Sequence, residues 1–137
     1  FMPKKLPLSL FSEQFFPDVT LQRVLLTSTE LIVTVSDGTW ELGPKLLLFE
    51  GAGAMIFTYT GAPRLRWRKR NRDQWQYASD STALEHVADL LMIQNNPTGW
   101  EFRFIPERKE YIVEVVLPAV TAIAWDGPGE DIEDPED

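Results

Sequence analysis

Apolar residues in this chain mostly recur at every second position, in short runs separated by Gly, Pro, Asp and Asn. A period of two places alternate side chains on opposite faces of a strand. "VTLQRVLL" (19–26) and "ELIVTVS" (30–36) are rich in β-branched residues and predict strands. Within "VTVSDGTWEL" (33–42), Asp37-Gly38 suits a two-residue turn with positive φ at both central positions. A tight hairpin there sets Val35 opposite Trp40 and Val33 opposite Leu42, on one face. "KLLLFE" (45–50) is a continuous apolar run, as in a strand buried on both faces. "GAG" (51–53) predicts a turn and "AMIFTYT" (54–60) a further strand. "WEFRFIP" (100–106) and "YIVEVVL" (111–117) flank the charged loop "ERKE" and predict another hairpin. Pro118 separates it from a last strand, "AVTAIAW" (119–125).

Two segments break the alternation. "SLFSEQFF" (9–16) predicts a short helix capped by Ser9 and stopped by Pro17. "STALEHVADLLMIQ" (81–94) predicts the principal helix. Its residues Ala83, Leu84, Val87, Ala88 and Leu91 recur at helical spacing, and Thr82 and Glu85 have capping-box spacing. The expected fold class is α+β: mainly antiparallel, about nine short strands in a curved sheet or sandwich, and one principal helix near residues 81–94. Strands that come in runs argue against a parallel, doubly wound sheet.

Length and charge refine this. A chain of 137 residues suits one domain. Residues 1–125 are expected to form it, and residues 126–137 an acidic, disordered tail. The tail, "DGPGEDIEDPED", holds seven acids and no base, which leaves 13 basic and 14 acidic side chains in the rest. The net charge of -8 therefore belongs almost entirely to the tail. One apolar residue, Ile132, cannot offset the ordering entropy of such a segment. "MPKKLPLSLFSEQFF" lacks the unbroken apolar stretch and cleavage site of a signal peptide, and no segment approaches the ~20 apolar residues of a membrane span. The absence of cysteine fits a reducing compartment, so the expected location is cytoplasmic.

Little in the chain points to catalysis. Without cysteine there is no thiol nucleophile and no thiolate metal site. The single histidine, His86, has no second imidazole with which to share a metal. "EGAGA" (50–54) is not followed by the Lys-Ser/Thr of a phosphate loop, and no serine lies in a nucleophile elbow. No catalytic residue, metal or cofactor is expected. The stretch "LLLFEGAGAMIFTYTG", in a β-rich body with an acidic end, resembles small bacterial immunity-type proteins in its general pattern. No residue role is carried over from that resemblance.

One segment stands out by charge. "RLRWRKRNRDQWQY" (64–77) has six basic side chains in its first nine positions: Arg64, Arg66, Arg68, Lys69, Arg70 and Arg72. Alternation predicts a hairpin with Arg64, Arg66 and Arg68 on one face and Leu65 and Trp67 on the other. Trp75 and Tyr77 of the return strand are expected to face the core with Trp67. Single-strand nucleic-acid binders need exposed rings beside their cations, which this pattern separates. The plainer reading is a solvated face whose arginines meet acids such as Glu41, Glu50, Glu101 or Glu114. The six basic residues are the candidate binding site. The expected function is a small non-catalytic binding protein that meets a protein partner through a charged surface, as a monomer or homodimer and without a membrane. The alternatives are a weak nucleic-acid-binding module using residues 64–72, and a small-ligand pocket or enzyme lined by Trp40, Phe57, Trp100 and Phe104. The acidic tail is a further candidate to lie on the basic hairpin.

Overall fold

A computed structural model describes residues 3–11, 17–42 and 45–128. Ten strands run in chain order among them: β1 (Lys4–Leu6), β2 (Asp18–Leu26), β3 (Glu30–Leu42), β4 (Lys45–Thr60), β5 (Arg64–Lys69), β6 (Gln76–Tyr77), β7 (Val87–Asn96), β8 (Gly99–Pro106), β9 (Tyr111–Leu117) and β10 (Ala119–Asp126). They form two five-stranded sheets, ordered β1-β10-β4-β3-β2 and β6-β5-β9-β8-β7, with every neighbouring pair antiparallel. The chain changes sheets at two neighbouring corners. Gly61 follows β4 and Pro118 follows β9, and a Cβ at Gly61 would lie 3.2 Å from the Pro118 ring.

The principal helix expected at 81–94 is not there, and the α+β class gives way to a nearly all-β sandwich. A single 3-10 turn covers Thr82–His86, and β7 follows directly. Ser81 makes no side-chain cap; Asp80 instead accepts hydrogen bonds from the Thr82 N–H (3.0 Å) and hydroxyl (2.6 Å). Helical spacing misled because β7 contains two bulges, between Val87 and Asp89 and between Leu90 and Met92. Each inserts one residue, which lengthens the inward repeat from two to three. Val87, Leu90 and Ile93 therefore stand opposite Pro106, Phe104 and Phe102 of β8, whose repeat is two. Leu90 and Ile93 are buried, whereas Ala88 and Leu91, which a helix would have turned inward, are exposed.

Asp37-Gly38 is likewise no hairpin turn, and "GAG" no turn. Both lie inside long strands. Ser36 pairs with Thr20 on one side and Ala52 on the other, Gly38 with Val19 and Phe49, and the register shifts between them. Asp37 is thus an extra residue relative to β2, and Glu50 and Gly51 face it on β4. Its φ is +37°, and its carboxylate accepts the Gly51 N–H at 2.7 Å. The bulge moves the inward positions of β3 from odd to even numbers. Leu31, Val33 and Val35 precede it and Trp40 follows it, all with no exposed surface. The short helix expected at 9–16 appears as a 3-10 turn at Leu8–Phe11, and residues 12–16 lie outside the described residues.

The core lies between the sheets. Phe57 of the first sheet meets Trp100 and Phe102 of the second with ring centroids 6.2 and 4.7 Å apart. Trp125 packs against Phe49 (4.8 Å) and Trp40 (6.4 Å). Trp40, Phe57, Trp100 and Phe104 are all core residues. The Trp125 indole N–H donates to the Pro128 carbonyl at 2.9 Å, which ties the chain down just past β10. The rest of the acidic tail lies outside the described residues.

Candidate binding site at the basic end of the sandwich

The hairpin of β5 and β6 forms with Arg66 opposite Tyr77 and Trp67 opposite Gln76. Leu65 is buried and Trp67 packs against the core from a half-buried position. Trp75 and Tyr77 do not follow them inward. The Trp75 ring lies on the arginine face, with the guanidinium carbons of Arg66 and Arg68 at 4.3 and 5.1 Å from its centroid. Tyr77 is 60% exposed. β6 is only two residues long, so the return segment pairs too briefly for alternation to hold from 74 to 77.

The six basic residues divide into two sets. Arg66 has an internal partner: it stands directly opposite Glu114 of β9, which stands opposite Arg103 of β8. Glu114 has no exposed surface, and it accepts from Arg66 at one oxygen and from Arg103 (2.9 and 2.7 Å) at the other. Partial burial pulls the Arg66 pKa down. The hydrogen bond and charge of Glu114, followed by Tyr77 and Glu101, outweigh it and hold the guanidinium above its ordinary value. Arg68 is also spent on the fold. Its Nη1 donates to the carbonyls of Lys69, Arg70 and Arg72 at 3.3, 3.2 and 2.9 Å, bracing the turn that follows β5. Replacing Arg68 with alanine is expected to cost about 1 kcal/mol and to speed amide exchange at residues 70–72 while leaving β8 protected. Unchanged exchange at 70–72 would show that the brace is unnecessary.

Arg64, Lys69, Arg70 and Arg72 are exposed. The turn that carries the last three is pinned to the 107–110 loop, since the Arg70 N–H donates to the Glu110 carbonyl at 2.8 Å. Arg108, from the charged loop "ERKE", joins them there. Lys69, Arg70, Arg108, Glu110 and Tyr111 line a cleft of about 320 Å³. Three bases and one acid leave it positive. The Glu110 carboxyl lies below the usual carboxylate range. Its own backbone N–H is the main cause, ahead of opposing desolvation, with Arg108 and Lys69 adding to the lowering. Arg108 bonds Glu110 at 2.8 Å and lies 5.3 Å above the Tyr111 ring, and both partners of that ion pair are well exposed.

A second cavity, of about 480 Å³, shares Arg108 and Tyr111 with the cleft. Its walls include Trp67, Ala83, Pro106 and Val113, and His86 and Glu107 add polar groups at its edge. Trp67 and Tyr111 meet edge to face at 5.6 Å. The Glu107 N–H donates to the His86 carbonyl at 2.8 Å, which joins the 3-10 turn to the end of β8. Among the described residues, no group of three or more His, Asp or Glu side chains is placed to hold a metal ion, and no helix is long and apolar enough to cross a membrane.

Fold and site together define an antiparallel two-sheet β-sandwich with a basic cleft and an apolar cavity at one end. No family model, curated protein or solved structure matches the chain, so the resemblance to immunity-type proteins gains no support from these comparisons.

Proposed function

We propose that this chain is a small non-catalytic binding protein that receives an acidic segment of a protein partner at the basic end of its sandwich. The observation that carries the reading is the cleft in which Lys69, Arg70 and Arg108 converge. Its two loops are hydrogen-bonded to each other, so the charges are presented from an ordered backbone. Preorganised charge of one sign favours encounter with a partner of the other and gives specificity as well as rate. Arg66 and Arg68 act inside the fold and serve the site only by holding it in place. A cytoplasmic setting belongs to the same reading, supported by the cysteine-free composition. Trp75 and Tyr77 stand on the arginine face, so rings and cations are not separated as alternation predicts. Against the nucleic-acid alternative stands only that the Arg66 guanidinium already covers the Trp75 ring, while Tyr77 is exposed.

Fluorescence anisotropy with a labelled acidic peptide and a single-stranded oligonucleotide of equal charge tests this. The peptide is expected to bind at low salt and to lose at least tenfold in affinity when Lys69, Arg70 and Arg108 are all replaced by alanine. Tighter binding of the oligonucleotide, lost in the same variant, would transfer the site to nucleic acid. Equal peptide binding by the variant would remove the cleft from the function altogether.

A further inference from the structure

Beside the basic cleft, the sandwich leaves its inner layer open. Val113 belongs to the core between the sheets, yet it also lines the cavity of about 480 Å³, together with Trp67, Ala83, Pro106 and Tyr111. Apolar walls with a few polar groups at the edge are the usual form of a recognition pocket, and this volume lies within the ~300–1,000 Å³ of such sites. We propose that this cavity is the socket for a bulky apolar side chain, aromatic by preference, carried on the acidic segment that the cleft receives. The inference rests on the reading given under Proposed function and extends it from charge alone to a defined sequence pattern.

Three observations commit the cavity to that occupant. First, Arg108 and Tyr111 border both spaces, so an anchor in the cavity has its neighbouring residues at the cleft. Charge complementarity then sets those neighbours as Asp or Glu. Second, the only ion pair at the shared border is Arg108–Glu110 among those described for these lining residues, and its side chains are 75% and 54% exposed. Such a pair contributes little, so a ligand carboxylate can compete for Arg108 at low cost. Third, the Trp67 and Tyr111 rings stand edge to face in the wall, and a third ring can join them in the tilted geometries that aromatic groups prefer. His86, Glu107 and Arg108 are exposed, so the cavity is open towards solvent and suits a side chain presented from outside. An anchor in a pocket ringed by weaker contacts is how interfaces concentrate their binding energy.

The test uses the full chain and three labelled heptapeptides, each with a central residue flanked on both sides by Asp and Glu. The central residue is Trp, Leu or Ala. The Trp peptide is expected to bind at least tenfold more tightly than the Ala peptide, with Leu between them. Ala83→Leu, which fills the cavity without altering a charge, is expected to reduce that preference below twofold. NMR shifts at residues 83, 86, 111 and 113 that respond to the Trp peptide and not to the Ala peptide give an independent readout in the unaltered chain. Equal affinity for the Trp and Ala peptides would overturn the socket and leave the charge reading standing. If none of the peptides binds, the charge reading falls with it. If free indole-3-acetate binds as tightly as the Trp peptide, the site is a small-ligand pocket and the proposed occupant is wrong.

Discussion

Replacing Glu114 with alanine is expected to destabilise the fold by about 3 kcal/mol, measured as a lower urea midpoint at unchanged slope. The carboxylate has no exposed surface and both oxygens are engaged, one by Arg66 and one by Arg103. Truncation removes the anion that stands directly between two guanidinium groups on flanking strands, and leaves Arg66 only the longer ion pair with Glu101 at 3.6 Å among the described residues. Breaking a buried pair from one side costs about 3–5 kcal/mol, chiefly through the charge left behind. The arginine side chains here are 19% and 28% exposed, so water takes part of that load, which argues for the lower end. Replacing all three residues together, with Arg66→Met, Glu114→Leu and Arg103→Met, is expected to restore stability to within about 1 kcal/mol of the unaltered chain. No charge of the triad then remains to be solvated, and Glu101, which loses Arg66 as its 3.6 Å partner, keeps access to water with 20% of its side chain exposed. Apolar replacement of a buried triad is often neutral or better. A Glu114→Ala loss below about 0.5 kcal/mol would mean that the two arginines relax into solvent freely. Arg108–Glu110 provides the internal contrast, because an exposed pair of this kind is worth about 0–1 kcal/mol.

The same triad marks how far residue-level reading reaches. Alternation alone placed Arg66 on an outward face and named Glu101 and Glu114 among its partners, and both lie within reach. Glu41 and Glu50, named beside them, belong to the other sheet. Runs of β-branched and aromatic residues were enough to locate β2, β8, β9 and β10, even though β2 and β10 each carry a register shift and β9 is buried along almost its whole length. The misread helix and the misread Asp-Gly turn share one physical cause. Bulges in β3 and β7 insert residues that a strict period cannot accommodate, and a three-residue repeat in β7 imitates a helix. Asp-Gly supports positive φ in a bulge as readily as in a turn, and Asp37 uses it in a bulge. The proposed binding end was half legible. Lys69, Arg70 and Arg72 stood out by charge. Arg108 and the cavity did not, because their lining residues come from β5, the 3-10 turn, β8, β9 and the loop between the last two. Nothing local connects those segments. The antiparallel pairings of β5 with β9, β8 with β9 and β7 with β8, together with the bond from Glu107 to His86, bring them to one end.

Gly38 is where the difference between a turn and a bulge can be measured as stability. Gly38→Ala is expected to cost about 3 kcal/mol, at the upper end for overpacking by a single methyl group. An added Cβ would lie 2.3 Å from the carbonyl oxygen of Asp18 and 2.8 Å from the Cα of Val19. Both are backbone atoms of β2, so no rotamer change relieves the contact. β2 is one of the two edge strands of its sheet and pairs within it only with β3. It is the element that must move, and the exchange of its amides should accelerate more than that of β4. Gly51 supplies the control. Its φ is +88°, but an added Cβ there meets nothing within 4 Å. Gly51→Ala should therefore cost only the backbone strain of a left-handed residue, roughly 1–2 kcal/mol. In a two-residue hairpin turn, Gly38 would occupy a positive-φ position and point to solvent, so its replacement would cost the same strain as at Gly51. The bulge predicts the opposite ranking, with Gly38→Ala clearly the more harmful. Thermal or urea unfolding of the two single variants side by side decides between them. Equal losses, with β2 exchange unchanged, would refute the close approach of β2 to the bulge.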